Sequence, residues 1–177
     1  MVPTIETERL VLRESHAGDV DAVCALWADP AVTRHISGDP LTRRQAWTGM
    51  LQFTGHWAVY GYGGWTVEEK SSGAFVGQVG LQQFVRGIDA TREHLPEGGW
   101  VLAPAMHGRG YAGEAVAAMM DWADANIDAP HTVAIVHPEN TASLRVATRC
   151  GYREVERTDY ATKPIVLFER VRYGSMR

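Results

Sequence analysis

MHGRGYAGEAV, residues 106–116, decides how the rest of the chain is read. Gly108-Arg109-Gly110-Tyr111-Ala112-Gly113 is literally G-x-G-x-x-G. A short apolar run, Trp100–Ala103, precedes it and stops at Pro104. A helical pattern follows over Ala112–Ile127, with Ala115, Val116, Met119 and Ala123 on one face. Glycines that open a helix leave main-chain N–H groups free at its positive end, where an anion is welcome. Glycine also lets the backbone approach that anion closely.

Three readings of the loop compete with a plain glycine turn before a surface helix. A P-loop fails, because no Gly-Lys-Ser/Thr follows. A dinucleotide fold has the preceding strand and the following helix, and Glu139 could serve as its ribose acid. That residue lies 26 positions after Gly113, however, where about 20 is usual. Only 64 residues follow Gly113, and they hold one more helix and two hairpin-like strands. Repeated βα units do not fit there, so the third glycine matches by accident.

Working outward, Arg9–Glu14 alternates polar and apolar and reads as a strand. Asp19–Ala28 is a helix with Asp19 as its N-cap and Pro30 just beyond its end. Thr42 opens a second helix through Trp47, Met50, Leu51 and Trp57. Gly64–Glu69 and Ala74–Phe84 form a hairpin across Lys70–Gly73, and a long polar loop runs from Arg86 to Gly99. After the helix at 112–127 come a buried strand, Thr132–Val136, and a helix, Thr141–Cys150, closed by Gly151. Strands near Tyr152–Arg157 and over Pro164–Val171 end the chain. The aromatics Trp57, Tyr60, Tyr62 and Trp65 read as core in preference to the lining of an acceptor pocket.

The 177 residues suit one domain, 1–177, with an ordinary globular composition of 45% hydrophobic and 21% charged residues. Net charge is −4, and a mildly acidic chain fits a cationic substrate somewhat better than an anionic one. Of the 17 basic residues only Lys70 and Lys163 are lysines, and the arginines are scattered, which argues against a nucleic-acid partner. Two distant cysteines give neither a disulfide framework nor a zinc pattern. His131 and His137 bracket a strand without a third ligand, so no metal is expected. No apolar run is long enough to span a bilayer, and Glu6 and Glu8 break any leader-like start; no membrane association and a cytoplasmic location are expected.

Taken together, GWVLAPAMHGRGYAGEA (99–115) and HPENTASLRVATRCGYRE (137–154) resemble the GNAT superfamily of acyl-CoA-dependent N-acetyltransferases. More narrowly they resemble the branch that contains the ribosomal-protein N-terminal acetyltransferases. The family's pyrophosphate motif, Q/R-x-x-G-x-G/A, falls on His107 to Ala112; Gly110 and Ala112 match, and His107 departs. Gly110-Tyr111-Ala112-x-Glu114-Ala115 strengthens the match, as does Thr7-Glu8-Arg9-Leu10-Val11-Leu12-Arg13 against an opening strand T-x-R-L-x-L-R. The resemblance implies an α/β (α+β) fold: a mixed, mostly antiparallel twisted sheet of about seven strands, helices on both faces, and an acyl-CoA cleft where two strands splay. Those strands would be Trp100–Ala103 and Thr132–Val136.

It further implies acetyl-CoA as co-substrate, no metal, and an amine acceptor, either a protein N-terminus or a small molecule, in a monomer or homodimer. The backbone of Leu102 and Ala103 would meet the pantetheine amides. The amides of His107, Gly108, Arg109, Gly110, Tyr111 and Ala112 would hold the pyrophosphate. Asn140 would bond the pantetheine arm, and Arg145 the ribose 3′-phosphate. Amine acetylation needs a neutral nucleophile, and Glu97, matching the family's Glu ahead of the splayed strand, is the first candidate base. The other reading of Glu97 is a solvated carboxylate in a Pro-Glu-Gly turn, with Glu93 and His94 as reserves. Ser143 is the candidate acid for the leaving thiolate, because Ala147 stands where many family members carry a Tyr. Asn140 and Ser143 also read as an N-terminal cap. A non-catalytic acyl-CoA sensor is the alternative function.

Overall fold

The computed structural model describes residues 1–84, 86–88 and 91–172. Its strands are β1 (Ile5–Glu6), β2 (Leu10–Arg13), β3 (Gly64–Glu69), β4 (Phe75–Gln82), β5 (Glu97–Leu102), β6 (His131–Val136), β7 (Arg153–Tyr160) and β8 (Lys163–Val171). The helices are α1 (Val20–Ala28), α2 (Pro30–Thr33), α3 (Arg43–Tyr60), α4 (Tyr111–Asn126) and α5 (Thr141–Arg149). One eight-stranded sheet runs β1-β2-β3-β4-β5-β6-β8-β7. Every neighbouring pair is antiparallel except β5 and β6.

The local rules that placed these elements are visible in their ends. Thr42 caps α3 through a capping box: its hydroxyl accepts the Gln45 N–H and Gln45 Oε1 accepts the Thr42 N–H. Gly61, at φ +74, closes the same helix. Asp19 does not cap α1 with its side chain. Its carboxylate is held by the Arg13 guanidinium at 2.7 and 2.8 Å and by the His16 N–H at 2.8 Å; a charged partner outcompetes a helix-end amide. Pro30 lies beyond α1 as expected but opens a further turn, α2, capped by Asp29. The loop expected over Arg86–Gly99 ends at Pro96, because Glu97, Gly98 and Gly99 pair with Gln82, Leu81 and Gly80.

Helices cover both faces. The buried side of α4, with Tyr111, Ala115, Val116, Met119, Met120 and Ala123, joins Leu10, Leu12, Trp65, Val67 and Val79 in the main core. Trp57, Trp65 and Trp122 pack edge to face at its border, with centroids 4.8–5.3 Å apart. Tyr62 is buried as expected, whereas Tyr60 is half exposed. On the other face α1 and α3 bury Val23, Leu26, Ala46 and Met50, and the Trp27 indole N–H donates to Gln78 Oε1 of β4.

At the centre, β5 and β6 meet at one rung only, Glu97 opposite Val133. The Val133 N–H donates to the Pro96 carbonyl, and then the strands part. Tyr152 sits beneath the vertex. It arrives there through a Schellman turn at the end of α5: Tyr152 N–H to the Ala147 carbonyl, Gly151 N–H to the Thr148 carbonyl, Gly151 at φ +88. Its ring is fully buried, and its hydroxyl accepts from Thr132 Oγ1 of β6 at 3.2 Å. Burial pushes that phenol well above its ordinary pKa, so it stays protonated.

Gly98 of β5 faces the same hydroxyl: a Cβ there would lie 2.5 Å from it. Gly98→Ala is therefore expected to destabilise the protein by about 1–3 kcal/mol through overpacking. In the Tyr152→Phe background that cost should largely vanish, since the next ring atom is 3.6 Å from the added carbon. Urea unfolding of the four chains in this cycle measures the coupling; equal losses in both backgrounds would mean the contact is not what excludes a side chain.

Candidate active site

The glycine loop is shaped for an anion. Gly108 and Gly110 adopt φ +75 and +80, which turns the chain into α4 with Gly110 as its N-cap and no side-chain cap. Among the described residues, no protein group accepts the N–H of Gly108, Arg109, Gly110, Tyr111, Ala112 or Gly113. The first donor taken up inside the helix is Glu114, to the Gly110 carbonyl. A row of uncommitted amides at the positive end of a 16-residue helix is an oxyanion cradle. The His107 N–H is not part of it, being donated to Pro104. The His107 ring instead bonds the Leu102 carbonyl at 2.9 Å and ties the loop to the end of β5.

The loop is held from the far side of the sequence. Glu114 accepts the Thr7 hydroxyl at 2.6 Å, the Arg9 N–H at 2.9 Å and Arg9 Nε at 2.7 Å. Arg9 Nη1 then donates to the Arg109 carbonyl at 2.9 Å, and the guanidinium lies 4.8 Å over the Tyr111 ring. Burial works against the Glu114 charge, but the Thr7 and Arg9 donors outweigh it and hold the carboxyl below its usual range. Tyr111 also donates its hydroxyl to Glu69. The two short motifs that stood out in the sequence are thus one cluster.

The free edge of β5 runs from the vertex to this loop. Ala103 donates its N–H to Val76 of β4, and hydrogen-bonding direction alternates along an antiparallel strand. The backbones of Trp100 and Leu102 therefore face the opening toward β6, and that of Ala103 faces away. Across the gap, Asn140 Oδ1 accepts the Ser143 N–H at 3.1 Å and caps α5. Asn140 and Ser143 both line the cleft cavity. Arg145 is exposed on α5 with no partner among the described residues. Ala147 is fully buried in the main core.

On the α1/α3 side the cleft widens into a cavity of about 340 Å³ that touches Trp27, His35, Glu97, Trp100, His137 and Tyr160. Glu97 lies inside strand β5, 9% exposed, which removes the solvated-turn reading. Both its oxygens are held by Arg86, at 2.6 and 2.8 Å. Arg86 is itself clamped between the Phe84 and Tyr160 rings, 4.2 and 4.9 Å from their centroids. Burial opposes the Arg86 charge, and the Glu97 carboxylate more than restores it. Glu93 accepts the Gly87 N–H. His94 does not line the cavity.

His137 does have neighbours, contrary to the sequence expectation of no third ligand. Ligand atoms of His35, His137 and Glu139 lie within 4.8 Å of one another. The Nδ1 of His137 accepts the Glu139 N–H at 3.2 Å, so the neutral ring carries its proton on Nε2, the wrong tautomer for ligation through that nitrogen. Burial, with Arg34 and His137 adding, keeps His35 below its ordinary pKa and hence neutral at pH 7. No motif marks His35 or the Trp27, Phe53 and Phe84 walls, because their strands and helices meet only in the fold.

Comparison with known proteins fits this geometry. Residues 9–153 match the family described as Acetyltransferase (GNAT) domain. The chain is 28% identical over 152 residues to the uncharacterized N-acetyltransferase p20 of Bacillus licheniformis, covering 85% of this chain and 83% of that one. A putative GNAT-family acetyltransferase from Bordetella pertussis superposes with a TM-score of 0.84 at 29% identity, over 96% of this chain and 99% of the other. A ribosomal L7/L12 alpha-N-protein acetyltransferase in complex with coenzyme A shares the fold, with a TM-score of 0.76 at 14% identity over 96% and 98%.

The Thr7–Arg9–Glu114 cluster makes a prediction of definite sign. Glu114→Gln should loosen the glycine loop and weaken coenzyme A binding about three- to tenfold by calorimetry, the effect of losing charge-assisted hydrogen bonds behind it. If the carboxylate acted only by repelling phosphate, affinity would rise instead.

Proposed function

The chain belongs to the GNAT acetyltransferase family, and from that premise we propose that it transfers an acetyl group from acetyl-CoA to a primary amine by direct attack within a ternary complex. The observation that carries this is the pairing of an open strand edge with a cradle of uncommitted amides at its end. The amides of residues 108–112 hold the pyrophosphate; His107 contributes its ring as a brace. Trp100 and Leu102 pair with the pantetheine amides from one side, and Asn140 bonds the arm from the other. Arg145 meets the 3′-phosphate.

The amine enters from the cavity, where Glu97 stands. With both oxygens already accepting from Arg86, its remaining lone pairs are suited to hold and aim the amine. The nitrogen attacks the thioester carbon, the C–S bond breaks, and a free N–H of β5 receives the transient oxyanion. The amine proton passes to water or to the neutral ring of His35, and Ser143 hands its hydroxyl proton to the departing thiolate while taking one up from solvent. Ala147 in place of a hydroxyl residue favours a second reading, an acyl-CoA sensor that binds without turnover.

Calorimetry with acetyl-CoA and thiol release with mixed amines separate the two. Binding with thiol release supports transfer, binding without it supports the sensor, and no binding overturns both. Gly110→Glu should abolish binding, because its Cβ would lie 3.4 Å from Arg9 Nη2 and the added carboxylate would compete for the guanidinium that braces the loop. Gly110→Ala, which carries only the left-handed backbone strain of about 1–2 kcal/mol, should keep much of it. Glu97→Gln should raise the amine KM severalfold and leave the pH profile in place if Glu97 aims the amine. An upward shift of the pH optimum would make Glu97 the base.

A further inference from the structure

Gln78 sits in the middle of β4, opposite Val101 of β5, and is 3% exposed. Its side chain lines the cleft cavity. The Trp27 indole N–H donates to its Oε1 at 3.1 Å, which fixes the amide's orientation, since an indole cannot accept. The other end, Nε2, is buried and has no hydrogen-bond partner among the described residues. A buried amide donor without a partner is costly, and here the orphan belongs to a wall of the amine cavity. A second cavity, between α3 and β4, shares Trp27, Phe53, Gln78, Gln82 and Phe84 with the first.

The charges around the cavity point the same way. Glu97 is the only carboxylate lining it among the described residues, and Arg86 neutralises it. Lys163 lines it too, with Nζ donating to the Ser37 carbonyl. A polyamine needs several unpaired carboxylates, and this cavity offers none. We propose that Gln78 is a specificity residue whose Nε2 donates to a carbonyl oxygen of the acceptor, so that the substrate is an amine bearing a nearby carbonyl, as in an aminoacyl amide, rather than a plain alkylamine or a polyamine. This rests on the amine-acetyltransferase reading above and narrows its substrate class.

The test uses a matched pair, leucinamide and isopentylamine, which share a skeleton and differ in the carboxamide, with spermidine as a third arm. Rates are compared per unit of free amine, because an α-amino group titrates near 8 and an alkylamine near 10. Wild type should favour leucinamide in kcat/KM by roughly tenfold or more, the scale for filling a buried donor. Gln78→Met, made in a Trp27→Phe background so that no indole N–H is left unpaired, should bring the ratio close to one. Acetyl-CoA affinity and the isopentylamine rate should stay within about twofold of the Trp27→Phe chain, a pattern that a merely structural role for Gln78 would not give.

A wild-type ratio near one, a ratio that survives in Gln78→Met, or spermidine as the best acceptor overturns the proposal while leaving amine transfer intact. Should no amine release thiol, the transfer reading fails, and calorimetry of both amines on the coenzyme A complex decides this one. Tighter leucinamide binding by tenfold, lost in the variant, supports the Gln78 site; equal or absent binding removes it.

Discussion

One backbone rung governs this molecule. Glu97 and Val133 pair, and beyond them β5 and β6 have no further register in common. Each strand keeps a full antiparallel neighbour on its other side, β4 for β5 and β8 for β6, so the sheet loses little by parting there. A strand edge buried without partners would be costly, and the N–H and C=O groups of Trp100 and the N–H of Leu102, whose carbonyl is taken by His107, are therefore left to bond an extended ligand as a missing strand would. Tyr152 fixes where the split begins. It touches β6 through Thr132 and leaves β5 room for nothing larger than glycine at 98.

The split strand would guide a ligand without gripping it were the glycine loop not held at its end. That loop has no side-chain cap of its own, and its two left-handed glycines are conformationally loose in isolation. Arg9 and Glu114 supply the rigidity from outside it. Glu114 is the fourth residue of α4, with its carboxylate turned to β2 instead of to the amides, so it does not compete for them. His107 pins the other side of the loop to β5. Free edge and anion cradle are thereby parts of one rigid frame, the preorganisation on which positioning a reactive thioester depends.

Much of this was legible in the sequence where local rules decide. The bounds of β3, the buried face of α4 and the glycine closing α5 came from periodicity and capping alone. The resemblance in 99–115 and 137–154 located the two strands that part. What escaped was long-range. Pro96-Glu97-Gly98-Gly99 carries turn chemistry, yet three of those residues are strand, and a tertiary contact demands one of the glycines: Gly98 yields to Tyr152. Asp19 read as a cap until Arg13 claimed it. His35 and Gln78 carry no motif; only the packing of α1, α2 and β4 gives them a place on the cavity wall.

The charge reading shows the same limit. A net charge of −4 suggests attraction of cations, but the acids that matter are spent on arginines. Glu114 answers Arg9, Asp19 and Glu68 answer Arg13, Asp124 answers Arg170, and Glu97 answers Arg86. Inside the cleft the result is a neutral ion pair, a neutral His35, an oriented amide and the Lys163 ammonium turned to the Ser37 carbonyl. In a site of low dielectric an unpaired carboxylate would dominate the choice of a cationic ligand, and pairing removes that bias. Discrimination then falls to hydrogen-bond geometry, where a single fixed donor weighs more than the field of the whole surface.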